Sequence, residues 1–239
     1  MNDSQERETV RRLMLQAWDN VGTFHAVARA QYYNVGEDAG PERHPPWNFL
    51  DSTALFAFNR REPWILSAWW KTPDTWRYFE NSPVAAREEY LAQADHWAYR
   101  INGVEKAKGS RTSSKLPLFI VGSPIWSPQD NCRRWWWMNP QLWVESMRLE
   151  VLEKGLIQGH DLYHVIAYQD PEALRWNRGL FDQEQDLEII FAGHVYQLWI
   201  DPMTGFFHRL TAEADNGRAW DVIVDTLVLN QPIEEDVFG

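Results

Sequence analysis

Histidines in the second half of the chain are the residues best suited to acid–base or metal chemistry. His160 and His164 lie four positions apart, in a segment whose flanking pattern indicates a β-strand. Two such residues share a strand face but lie roughly 13 Å apart at ~3.3 Å per residue, which is too far to ligate one metal ion. The spacing therefore predicts no metal site.

A wider polar group could form where the next predicted strand lies beside this one. Asp201 and His208 could join it from the following turn and strand. A histidine with an aspartate or tyrosine inside an apolar cavity can act as a general acid or base. The alternative is that these are ordinary sheet histidines, hydrogen-bonded or solvated. The candidate catalytic residues are His160, His164, His194 and Tyr196.

Other catalytic and cofactor signatures are missing from the sequence. The chain contains no G-x-S-x-G nucleophile elbow, no P-loop and no G-x-G-x-x-G fingerprint. We therefore expect no cofactor, and any catalysis would rely on the shape of a cavity and one acid or base.

Charge and cysteine content restrict the partners and the compartment. The formal net charge is -11. Nucleic acids and anionic membranes bind proteins that present a positive field, so neither is expected as a partner. The single cysteine excludes an internal disulfide. The N-terminus MNDSQERETVRR lacks an apolar signal region, and no stretch approaches the ~20 apolar residues of a membrane span. These features predict a cytoplasmic protein without a transmembrane segment, or an extracytoplasmic one if a signal was removed.

One domain over residues 1–239 is the simplest interpretation, because composition does not shift along the chain. The pattern predicts a helix over about 3–21 and a second over about 82–93, with Ser82 and Pro83 at its start. A possible lid covers about 109–131, since so long a loop is usually functional or mobile.

Strands are expected elsewhere. Alternating residues predict strands at Phe24–Tyr33, Trp64–Lys71, Trp76–Glu80 and Trp97–Ile101. Met147–Tyr168 reads as a hairpin about Gly155. The last quarter of the chain reads as a meander of strands with turns at Asp201–Gly205 and Asp215–Gly217.

Short motifs in this order resemble the bacterial LolA/LolB-like lipoprotein-carrier superfamily. The opening helix and Val21-Gly22-Thr23-Phe24-His25-Ala26 resemble the start of the family. The segments that resemble its later strands are Trp69–Arg77, Gln158–Val165, Leu198–Arg209 and Asn230–Phe238.

The resemblance implies an α+β, mostly β fold: a strongly curved antiparallel sheet, an incomplete barrel with helices packed in its open side around an apolar cavity. Fifteen tryptophans fit an aromatic-lined cavity, because each buries a large area and offers one N–H donor. The expected wall residues are Trp69, Trp76, Tyr78, Trp97, Trp136, Tyr196 and Trp199.

Two functions follow from these observations. The first is binding of a hydrophobic small molecule, lipid or acyl chain in the cavity. The alternative is a cytoplasmic cyclase or isomerase that acts on a polyketide, isoprenoid or other apolar substrate through shape and a His, Tyr or Asp acid–base group. The sequence does not choose between them and leaves the oligomeric state open.

Overall fold

The computed structural model describes residues 3–32, 63–71, 75–81, 87–93, 96–110, 137–157, 159–169, 195–214 and 217–238. Two α-helices and eleven strands lie in these ranges. In chain order they are α1 Asp3–Gln16, β1 Thr23–Tyr32, β2 Trp64–Lys71, β3 Thr75–Asn81, β4 Glu88–Gln93, β5 His96–Ile101, β6 Val104–Ser110, α2 Pro140–Ser146, β7 Met147–Ile157, β8 His160–Gln169, β9 Val195–Ile200, β10 Phe207–Ala214 and β11 Gly217–Leu229. A 3₁₀ turn follows at Glu235–Phe238.

The strands form one eleven-stranded sheet in the order β6-β5-β4-β3-β2-β1-β11-β10-β9-β8-β7. The registered neighbours pair antiparallel, and β6 and β7 are the edge strands of this open sheet. The mostly β, antiparallel architecture expected from the sequence is confirmed.

Alternation along the strands decides which residues share a face. Successive side chains of a strand point to opposite sides, and antiparallel register places the buried residues of neighbouring strands together. In β1 and β2 this opposes Phe24 to Trp70 and Ala26 to Ala68, all of them at most 3% exposed. The predicted strands over these segments are confirmed.

Helix α1 carries an apolar stripe at helical spacing, with Val10 and Met14 fully buried. It ends at Gln16, whereas the sequence predicted its end near Val21. A turn follows, in which the Asp19 N–H donates to the Gln16 carbonyl. The chain must leave the helix there because β1 begins at Thr23.

The predicted helix over 82–93 is wrong for its second half, because residues 88–93 form strand β4. Strand β4 pairs with β3 on one side and β5 on the other, aligning Tyr78, Tyr90 and Tyr99 across three strands. Packing of these rings outweighs the helical preference suggested by Ser82 and Pro83, which lie outside the described residues.

Turn positions follow the backbone conformation that each turn requires. The β5–β6 hairpin turns at Asn102 and Gly103, as the sequence predicted, and both residues have positive φ. The β7–β8 hairpin turns at Gly159, with φ of 88°, instead of at Gly155. Gly155 lies inside β7 and pairs with Leu162.

The chain divides into two compact units, and each is described separately below. Unit 1 comprises residues 1–19, 32–48 and 136–223, and unit 2 comprises residues 20–31, 49–135 and 224–239. In unit 1, α1 packs against α2 and β7, and the Trp18 indole N–H donates to the Met138 carbonyl at 3.2 Å. The single-domain interpretation stays a prediction.

The C-terminal segment of unit 2 crosses strands β1 to β4. The Asn230 side chain accepts a hydrogen bond from the Gly22 N–H at 2.6 Å and donates to the Asn20 carbonyl at 3.0 Å. Farther on, Arg77 donates to the Val237 carbonyl, and Phe238 is 1% exposed. This burial anchors the chain terminus on the sheet face that carries Arg77.

The Asp201–Gly205 turn in unit 1 packs closely on α1. The Gly205 N–H donates to the Asp201 carbonyl at 2.9 Å, and Gly205 has a φ of 76°. A β-carbon at Gly205 would overlap the Leu13 carbonyl, whose carbon would lie 2.8 Å away. Glycine is therefore required for both its conformation and its contact with the helix.

Gly205→Ala is expected to destabilise the protein by about 3 kcal/mol, because left-handed strain adds to a clash with helix backbone. Gly103→Ala is the matched control, since Gly103 has the same φ of 76° but a β-carbon there would meet no atom within 4 Å. Its expected cost is about 1 kcal/mol. Urea unfolding measures both. Equal losses would show that the contact with Leu13 contributes nothing.

Candidate functional site

An aromatic row crosses the sheet of unit 2 on one face. Register aligns Trp70 of β2 with Trp76 of β3, and then through β4 with Trp97 of β5. These three indoles are 3%, 1% and 6% exposed. Tyr78, which is fully buried, belongs to the parallel row of tyrosines on the same face. The expected wall residues Trp76, Tyr78 and Trp97 therefore share one face.

The neighbouring part of this face consists of small residues. Ala26, Ala28, Ala30 and Ala68 are fully buried on β1 and β2. The sequence prediction of the wall named aromatic side chains and missed these alanines. The alternation of β1 was the signal that could have found them, because it places three of them on one face.

Trp69 lies on the opposite face of the same sheet. It pairs with Arg77 across β2 and β3, and its indole stacks on the His25 imidazole with 4.8 Å between ring centroids. Burial lowers the pKa of His25, so this imidazole is neutral at neutral pH. Trp69 therefore cannot line the same surface as Trp76 and Trp97.

A hollow of about 650 Å³ lies at Trp97, beside strands β4 to β6 of unit 2. The Trp97 indole nitrogen is buried and has no hydrogen-bond partner among the described residues. A β-carbon at Gly109 would lie 2.9 Å from that nitrogen, so only glycine lets the edge strand approach the indole. The residues that line the hollow are Leu91, Gln93, His96, Trp97, Ala98, Glu105, Lys108, Gly109 and Ser110.

In unit 1, Tyr196 is fully buried in an aromatic cluster. Trp143 of α2 contacts Tyr196 edge-on at 5.3 Å, and also contacts Phe207 and Trp220 at 6.1 and 6.4 Å. Such pairs each contribute about 1 kcal/mol beyond the area they bury. Tyr196 is thus a packed residue under α2, and the sequence prediction did not include Trp143.

Trp199 and His164 lie on the opposite face from Tyr196, because Trp199 pairs with His164 while Tyr196 pairs with Ala167. The two rings stack at 4.8 Å with planes 6° apart. The Arg209 guanidinium lies 5.1 Å from the Trp199 ring and binds Asp221 through two hydrogen bonds of 2.9 and 2.7 Å. These contacts make a column of stacked side chains across four strands.

The structure therefore does not bring His164 and Tyr196 together. The Nε2 atom of His164 forms a hydrogen bond of 3.0 Å with the Oε1 atom of Gln197. Its Nδ1 atom lies 3.6 Å from a carboxylate oxygen of Glu153. His194, Trp136 and most of the predicted lid over 109–131 lie outside the described residues. The described residues contain no group of three or more His, Cys, Asp or Glu side chains that could hold a metal ion.

A second hollow, of about 810 Å³, lies in unit 1 between α1 and the ends of the sheet hairpins. His160 contacts His208 with 4.7 Å between ring centroids, and His208 lies 3.5 Å from Asp201. The sequence suggested that Asp201 and His208 could join the histidine group, and these two residues do meet His160. The hollow is lined by Thr9, Arg12, Leu13, Gln16, Lys154, His160, Asp161, Tyr163, Asp201, Pro202 and Met203.

Asp201 fixes one wall of this hollow. Its carboxylate accepts the Met203 and Thr204 N–H groups at 2.6 and 2.9 Å. The hydrogen bond with His208 is the main cause that lowers the pKa of Asp201, and the two backbone N–H groups lower it further against the opposing effect of burial. The ionised carboxylate is therefore part of the folded turn.

We expect Asp201→Asn to remove an acid-sensitive part of the stability. Because the folded-state pKa of Asp201 lies below its unfolded value, the stabilisation is fully present above about pH 4 and is lost as pH falls through the folded-state pKa. Urea unfolding of both proteins at neutral and acidic pH tests this. The wild-type advantage should shrink in acid, and an advantage unchanged with pH would contradict the assignment.

Sequence comparison gives no relatives: no protein-family profile and no curated protein matches this chain. Within the described residues, no helix is long and apolar enough to cross a membrane.

Solved structures do resemble the chain. LprF from Mycobacterium bovis matches with a TM-score of 0.53 and 11% identity, over 98% of this chain and 97% of that one. Lipoprotein LppX from Mycobacterium tuberculosis matches with a TM-score of 0.47 and 11% identity, over 98% of this chain and 99% of that one. A chain of the Pseudomonas aeruginosa MucA/MucB complex matches with a TM-score of 0.48 and 10% identity, over 98% of this chain and 60% of that one.

This chain spans only 60% of the length of the matched chain in the MucA/MucB complex and 62% of the length of the chain in a MucB structure. The likeness to LprF extends over nearly the full length of both chains. This chain therefore shares the fold of LprF, in agreement with the mostly β fold that the sequence motifs indicated. At 11% identity the likeness is to the fold alone.

Proposed function

We propose that this protein binds an apolar molecule, such as an acyl chain, at the Trp97 hollow of unit 2. One observation carries the proposal: Leu91, Ala98 and Trp97 line an open hollow of about 650 Å³ beside strands β4 to β6.

The walls of the hollow suit the apolar part of such a ligand. Leu91 and Ala98 contribute aliphatic surface on one strand face, because β4 and β5 pair them directly. Each Å² of apolar surface that ligand and wall remove from water stabilises the complex by about 25 cal/mol. Glu105 and Lys108 also line the hollow and form an ion pair at 2.9 Å, so their charges offset each other.

The fold supports the same class of ligand. The LolA/LolB-like superfamily, which the sequence motifs resemble, implies a cavity that holds acyl chains. The enzyme alternative has no comparable support among the described residues, because Tyr196 and His164 lie on opposite faces of their strands. Binding without chemistry is therefore the function that we propose.

Leu91→Ala is expected to weaken binding of palmitate by ~10-fold or more, because it removes much of the aliphatic wall of the hollow. Native mass spectrometry with a palmitate titration measures this, after extraction of any apolar molecule that co-purifies with the protein.

Trp69→Ala is the matched control, because Trp69 belongs to the same sheet and does not line the hollow. It should bind palmitate as the wild type does, and thermal unfolding shows whether each variant is folded. Palmitate binding that is equally weak in the Trp69 and Leu91 variants would refute the site. Absence of binding by any apolar probe or co-purified molecule would refute the function.

A further inference from the structure

The polar hollow of unit 1 has a different chemistry from the Trp97 hollow, and its assignment does not rest on the proposed function. Three separate elements supply its basic side chains: α1 provides Arg12, β7 provides Lys154 and β8 provides His160. His208 of β10 lies directly behind His160, at 4.7 Å between ring centroids. The lining also contains two carboxylates, Asp161 and Asp201, so the basic groups can bind an anionic ligand only where these carboxylates are engaged by other groups.

The carboxylates of the hollow are already engaged. Asp201 accepts two turn N–H groups and lies 3.5 Å from His208, so its oxygens are directed into its own turn. Asp161 lies 3.4 Å from Lys154. Each carboxylate therefore holds one basic side chain in place, and Arg12, Lys154 and His160 line the hollow where a ligand would lie.

We propose that this hollow binds the phosphate group of a small ligand, with Arg12 and Lys154 as its cationic contacts and His160 as an additional N–H donor. A guanidinium offers paired donors that match phosphate oxygens, and an ammonium adds a compact positive charge. A volume of about 810 Å³ exceeds what a phosphate group needs, so the remaining space suits an organic body attached to it. Thr9, Gln16 and Tyr163 supply polar and aromatic wall for that body.

The test uses calorimetric titration of the full chain with inorganic phosphate and with glycerol 3-phosphate. Saturable binding is expected. Arg12→Ala should weaken it by ~10-fold or more. Arg11→Ala is the matched control, because Arg11 is the exposed neighbour on the same helix and does not line the hollow.

Two sources of phosphate are separated by a second arm with vesicles of phosphatidylcholine, with or without phosphatidic acid. Vesicle binding that needs phosphatidic acid and Arg12 identifies a lipid headgroup as the ligand. Binding of glycerol 3-phosphate without vesicle binding identifies a free phosphate ester. The proposal is overturned if neither phosphate compound binds, or if Arg11→Ala weakens binding as much as Arg12→Ala.

Discussion

The antiparallel register between neighbouring strands determines which side chains can act together in this protein. A strand alternates its residues between two faces, so the strand partner of each residue decides its neighbours. Trp97 joins the aromatic row of unit 2 because β5 aligns it with Ala92, which β3 in turn aligns with Trp76. The same rule places Trp69 on the reverse face, against His25. A shift of one residue in either pairing would exchange these surfaces.

The same alternation determines where polar groups lie, which is on the outer face of the sheet and at the ends of the strands. In unit 1 the outer face carries a stacked column in which Trp199 lies between His164 and Arg209. Arg209 is held by a bidentate pair with Asp221, which is 6% exposed. Breaking such a buried pair leaves an uncompensated charge, so this column is a structural feature of the sheet. The polar hollow forms instead where α1 meets the ends of β7 and β8 and the Asp201–Gly205 turn.

Two hollows of different chemistry therefore occur in the chain, one in each unit. The Trp97 hollow has an aliphatic wall of Leu91 and Ala98, which would favour a largely apolar ligand. The hollow with Arg12 and His160 offers charge and hydrogen-bond donors, which favour an anion. The likeness to LprF concerns the fold, so the chemistry of each surface has to come from the side chains themselves.

Much of the fold could be predicted from local sequence. Alternation predicted β1 and β2 with nearly correct bounds, and the Asn102-Gly103 pair predicted its turn. Strand β4 could not be predicted, because Ser82 and Pro83 favour a helix start and only pairing with β3 and β5 selects the strand. The β7–β8 turn was misplaced at Gly155, since either glycine permits a turn and the register alone selects Gly159.

For the candidate sites, the sequence by itself determined which residue types were present: the tryptophans, the histidines and the net charge of -11. It also indicated that Asp201 and His208 could accompany His160, because turn and strand follow one another in the chain. Only the tertiary structure decided that Trp97 and Trp76 share a face that Trp69 does not, and that Arg12 and His160 line the same hollow. The physical reason is that strand pairing and helix packing join residues far apart in sequence, and a local pattern contains no record of those partners.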